Sequence, residues 1–150
     1  MTLFLDTSAL VKLYAEEKDS DRVRDSLHEA EIIACQWLAY VEARSAFSRK
    51  RSLGGLNTTQ LERCKADLNR DWLTFHRIET TELLLLHAAY LAERFVLRAY
   101  DSVHLAAAHS LQNVIGTSIA FGCFDRPLCA AAVELGLRIE YPDSLSGKHR

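Results

Sequence analysis

Short apolar runs alternate with helically spaced stretches along this chain, and that alternation limits the folds open to it more than any other feature. Leu3, Phe4 and Leu5 form a run that ends at once in Asp6, after which apolar residues recur with helical spacing at Leu10, Val11, Leu13 and Tyr14. The spacing predicts a second helix over Asp19 to Ala30, a buried strand at Ile32 to Cys35, and a third helix from Trp37 to Leu53, stopped by Gly54 and Gly55. A fourth helix, capped by Thr58 or Thr59, runs to about Trp72; a weaker strand covers Thr74 to Ile78, and Thr80 or Thr81 opens a fifth helix. Tyr100 to His109 is a largely apolar helix, Ser118 to Cys123 a strand, Asp125 to Leu135 a helix ended by Gly136, and Leu137 to Tyr141 the last strand. Strands alternating with helices imply βαβ units, and hence a five-stranded parallel sheet with right-handed crossovers. One domain over residues 1–143 is expected, with a flexible tail from Ser144 to Arg150.

Composition narrows the partners. A net charge of −2 argues against indiscriminate coating of nucleic acid while leaving room for a local basic patch. No apolar run approaches the ~20 residues of a membrane span, and no signal peptide is visible, so a cytoplasmic protein is expected. The four cysteines (35, 64, 123, 129) make no CxxC pair and no histidine pair has zinc-finger spacing. They read as reduced, mostly buried thiols.

Four acids stand where chemistry can use them. In a parallel sheet, ligands collect at the carboxyl ends of the strands. Asp6 and Asp125 each follow a strand, while Glu42 and Asp101 lie near the starts of helices that begin at the same edge. Each has a structural alternative: Asp6 and Asp125 can cap helices, Asp101 can serve as a first-turn acid, and Glu42 can form a salt bridge. Glu42 is read on an inward stripe with Leu38, Val41 and Ser45, where an unpaired charge is costly. Four carboxylates on one edge repel each other unless cations hold them. Without histidine or cysteine among them they suit Mg²⁺ or Mn²⁺, ions that activate water and stabilise a phosphodiester displacement.

The run from Leu5 through Asp6 to Tyr14, Glu42 with Ala43 and Arg44, Leu97 to Ala108 around Asp101, and Phe124–Asp125 to Ala132 before Gly136 together resemble the PIN domain. The nearest branch is the VapC-like toxins of type II toxin–antitoxin systems. The resemblance implies a three-layer α/β/α sandwich and a Mg²⁺- or Mn²⁺-dependent endoribonuclease whose metal ligands and catalytic acids fall on Asp6, Glu42, Asp101 and Asp125. It also implies a homodimer, a small cognate antitoxin and an RNA substrate, with tRNA a family-level expectation. One departure is Cys123, which stands where many members have Thr or Ser two residues before the last acid; Thr7 or Ser8 can supply a hydroxyl beside Asp6 instead.

Arg49, Lys50 and Arg51 form a basic cluster that reads either as a helix terminus complementing the dipole or as phosphate contacts for RNA. His104, one turn beyond Asp101, can face the same cleft, but a satisfied core or surface histidine is the favoured reading. The run of four leucines from Leu83 to Leu86 reads as core or dimer interface. Two other functions compete. A phosphatase with an aspartyl-phosphate intermediate wants a second acid two residues after Asp6, where Ser8 stands. A non-catalytic scaffold binding RNA or protein has no use for clustered acids.

Overall fold

A computed structural model describes residues 1–145. In order the chain forms β1 (Thr2–Leu5), α1 (Thr7–Lys12), α2 (Ser20–Glu29), β2 (Ile32–Gln36), α3 (Leu38–Ser52), α4 (Thr58–Trp72), β3 (His76–Ile78), α5 (Glu82–Phe95), α6 (Ala99–Ile115), β4 (Ala120–Gly122), α7 (Arg126–Glu134) and β5 (Arg138–Ile139). A 3₁₀ turn, Pro142–Leu145, takes in the start of the expected tail, whose residues 146–150 lie outside the described part.

The five strands form one sheet in the order β3-β2-β1-β4-β5, and every pairing is parallel. Strand alternation then sorts the core. Leu3 and Leu5 point to one face, against α1, α3 and α4 residues such as Leu10, Phe47 and Leu68; Phe4 points to the other, against Leu91, Leu105 and Leu128 of α5, α6 and α7. The result is the expected α/β/α arrangement, with helices covering both faces of a parallel sheet.

From β1 the chain steps outward to β2 and β3, and then returns to place β4 on the other side of β1. The order therefore reverses between β1 and β4, the position where open α/β sheets form a crevice at their carboxyl ends. These two strands come close. A Cβ on Gly122 would lie 2.8 Å from Leu5 Cδ2 and 3.1 Å from Tyr141 Cε2, so a side chain there would have to push both neighbours aside. The Asp6 N–H continues the ladder by donating to Gly122 O at 3.0 Å.

The structure corrects three local readings. The inward face of α3 is Ala39, Ala43 and Phe47, and Val41 is 63% exposed, so Glu42 sits beside the buried stripe rather than on it. Asn57, not Thr58 or Thr59, caps α4, through a capping box with Gln60. Helix α6 runs six residues past His109 to Ile115, where Gly116 at φ +80° ends it.

Candidate active site

Asp6 leaves β1 and immediately caps α1. Its Oδ1 accepts from the Ala9 N–H at 3.1 Å and from the Ser8 hydroxyl at 2.7 Å. The carboxylate is almost wholly buried, and that burial raises its pKa above the usual range against the opposing pull of hydrogen bonds from Cys123, Ser8 and Ala9 and of His104 nearby. Ser8 also accepts from the Phe124 N–H at 3.0 Å, tying the start of α1 to the segment after β4. Ser8 thus supplies the hydroxyl beside Asp6. The Thr7 hydroxyl turns to α3 instead, donating to Glu42 Oε1 at 2.9 Å.

Asp125 caps α7 in the same manner, its Oδ1 accepting from the Leu128 N–H at 3.0 Å. Asp101 lies in the first turn of α6. Arg98, the residue capping that helix, reaches both: Nε donates to Asp101 Oδ2 at 2.8 Å and an NH2 nitrogen to Asp125 Oδ2 at 3.0 Å. Burial raises the Asp101 carboxyl above its ordinary value, while Arg98 pulls the other way and the charge of Asp125 adds to the rise. Cys123 stands between the two walls. Its Sγ accepts from the Asp125 N–H at 3.3 Å and lies near enough to Asp6 to oppose the rise of that carboxyl. Burial drives its own pKa up, so the thiol stays protonated.

Glu42 is held by Thr7 and by His104 of α6, whose Nε2 lies 2.6 Å from Glu42 Oε1. His104 is 1% exposed, and its Nδ1 has no hydrogen-bond partner among the described residues. The i, i+3 spacing from Asp101 allows His104 to face the same cleft, while the sequence favours a satisfied histidine; in the structure it reaches Glu42, and its Nδ1 is left without a partner among the described residues. The basic cluster lies apart. Residues 49–51 are seven to nine positions beyond Glu42, about 10–14 Å further along α3; Lys50 pairs with Glu17 at 2.6 Å and Arg51 donates to Thr58.

Hydrogen bonds and ion pairs therefore tie Asp6 through Ser8 to the Phe124 N–H next to Asp125, Asp125 to Asp101 through Arg98, and Glu42 to α1 and α6. The donors are carboxylate oxygens, the chemistry that suits a hard divalent cation. Their present arrangement is looser than a formed coordination shell: among the described residues, no three His, Cys, Asp or Glu side chains gather closely enough to hold a metal ion.

The PIN domain family model matches residues 3–118. This chain belongs to the PIN-domain family. Solved structures with the same fold include FitAcB from Neisseria gonorrhoeae, 17% identical with a TM-score of 0.65, covering 91% of this chain and 95% of that one. A toxin–antitoxin complex from Klebsiella pneumoniae is 14% identical at a TM-score of 0.55, covering 80% of this chain and 84% of that one. VapBC2 from Rickettsia felis, bound to a DNA fragment from its promoter, is 11% identical at 0.58, covering 83% and 88%. No curated protein matches the chain by sequence. Identities this low establish a shared PIN fold.

Proposed function

We propose that this PIN domain is a Mg²⁺- or Mn²⁺-dependent endoribonuclease and the toxin of a toxin–antitoxin pair. The observation that carries the reading is the placement of Asp6, Glu42, Asp101 and Asp125. Asp6 and Asp125 cap helices that leave the carboxyl ends of β1 and β4, Asp101 lies in the first turn of α6, and Glu42, in the second turn of α3, is bonded to Thr7 at the start of α1. A divalent cation there would supply positive charge to the phosphodiester and lower the pKa of water. The chain's own contribution is to fix the carboxylates. Asp6 and Asp125 are anchored by backbone amides, Glu42 by Thr7 and His104, and Asp101 by the rigid first turn of α6. Arg98 would have to yield at least one acid to a cation, and it then stands free to meet a substrate phosphate. Arg49, Lys50 and Arg51, further along α3, are the proposed phosphate contacts for an RNA backbone, with tRNA one such substrate.

A small antitoxin is the proposed partner, in keeping with the toxin–antitoxin complex among the structures of the same fold. A homodimer is proposed through α5, where Leu83, Leu86 and Tyr90 lie exposed on one helix face. No helix in the described residues is long and apolar enough to cross a membrane, which accords with a cytoplasmic site of action. A second reading, a non-catalytic scaffold for RNA or protein, draws on Arg98, which already pairs two of the acids.

The deciding experiment is cleavage of structured RNA with and without Mn²⁺ by the wild type, Asp6→Asn and Asp101→Asn. Metal-dependent cleavage that both substitutions abolish, with circular dichroism unchanged, is expected. Undiminished cleavage by pure Asp6→Asn protein would refute the nuclease, and absence of acid-dependent Mn²⁺ binding would favour the scaffold.

A further inference from the structure

His104 occupies a position that the four acids alone do not account for. The side chain is 1% exposed, lies on α6 one turn after Asp101, and reaches across to α3. Its Nε2 is 2.6 Å from Glu42 Oε1 and 3.2 Å from Thr7 Oγ1, while Nδ1 is buried with no partner among the described residues. These contacts assign the tautomer. A nitrogen this close to a carboxylate oxygen shares a proton with it, and a proton on Nδ1 would leave a buried donor unpaired, the costlier orphan. The Nε2–H therefore points at Glu42, with the Thr7 hydroxyl donating to the same oxygen at 2.9 Å. Both donors converge on Oε1, and Oε2 takes no hydrogen bond from the described residues.

We propose that His104 is a positioning residue: together with Thr7 it locks the Glu42 carboxylate by Oε1 and presents Oε2 to the divalent cation. The inference rests on the metal-dependent reading given above. Glu42 is partly exposed and sits in the second turn of α3, beside the helix's buried stripe. Without a tether its side chain would be free to sample several rotamers, and ordering them would cost binding free energy. A buried imidazole on the neighbouring helix removes that freedom in advance, as outer partners of metal-binding carboxylates commonly do.

Calorimetric titration of the full chain with Mn²⁺ tests this in the wild type, His104→Leu, His104→Gln, Glu42→Gln and the Glu42→Gln/His104→Leu double variant. His104→Leu should bind Mn²⁺ about tenfold more weakly, the low end of losses from outer-partner changes, while His104→Gln, whose amide N–H can take the place of Nε2–H, should stay within about threefold of wild type. The double variant should bind no more weakly than Glu42→Gln, because His104 acts through that carboxylate. Wild-type affinity in His104→Leu, no rescue by Gln, or additive losses in the double variant would each overturn the assignment while leaving the metal reading intact. Absence of Mn²⁺ binding by the wild type would overturn both. If the leucine variant fails to fold, Thr7→Val takes its place and must weaken binding in the same direction; unchanged affinity there also overturns the proposal.

Discussion

Asp6 caps α1 with the same carboxylate that its burial makes costly to ionise. The two roles separate in an amide. Asn retains an oxygen that can accept from the Ala9 N–H and the Ser8 hydroxyl, yet carries no charge to desolvate. Asp6→Asn is therefore expected to raise the melting temperature of the metal-free protein at neutral pH, by about 2–4 °C for each kcal/mol of relieved desolvation. It should lose Mn²⁺ binding at the same time. The pH dependence has a definite sign. A carboxyl raised above its unfolded value holds a proton in the folded chain that the unfolded chain has released. The stability contributed by Asp6 and Asp101 is thus complete below the unfolded carboxylate range, near pH 4, and is lost as pH climbs through their raised folded values. Urea titrations of the metal-free wild type and Asp6→Asn between pH 4 and 8 should show the variant's advantage growing with pH. An advantage that shrinks on going to neutral pH would contradict the assignment of burial as the dominant cause. Metal binding should strengthen over the same interval, since a cation must displace those protons.

Helices α5 and α6 are joined through Val96, whose left-handed backbone at φ +53° is unusual for a β-branched residue. The side chain is 90% exposed and gains little packing in return. Val96→Gly should raise the melting temperature by about 2–4 °C, roughly 1 kcal/mol, and leave Mn²⁺ affinity unchanged. A lower melting temperature would show that the valine contributes packing there. The elements themselves were largely legible in the chain. Apolar runs such as Leu3–Leu5 and Ile33–Cys35 mark the strands, and stops such as Gly136 mark helix ends. What escaped reading has physical reasons. Alanine carries too little apolar bulk to reveal the Ala39–Ala43–Phe47 face, so Val41 drew the stripe one position aside. The pattern of α6 weakens after His109, although Gly116 gives the true stop. Asp6, Asp101 and Asp125 were visible because each adjoins an element boundary, and Glu42 because it is a charge near the start of an amphipathic helix. The partnership of His104 with Glu42 was not, since it spans 62 positions and depends on how α3 and α6 lie across the sheet edge.

Across the whole molecule, the run of four leucines divides sharply. Leu84 enters the core, while Leu83 is 80% and Leu86 61% exposed on the outside of α5. For the dimer proposed through this face, Leu86→Glu should convert a light-scattering mass of two chains to that of one without loss of helical signal. A mass unaffected by the substitution would move the interface elsewhere. The strand order carries a further consequence for how the protein comes into being during synthesis. The sheet's first partner for β1 is β2, close in sequence, but the crevice needs β4, paired to β1 across more than a hundred residues. Contacts of such long range form late, after local helical units such as the α5–α6 hairpin have had time to assemble. The amino-terminal wall of the cleft, Asp6, therefore waits for Asp125 until most of the chain has emerged. A nascent chain that has not emerged past β4 lacks both Asp125 and the strand that forms the far side of the crevice, so the proposed site assembles only when the last strands arrive.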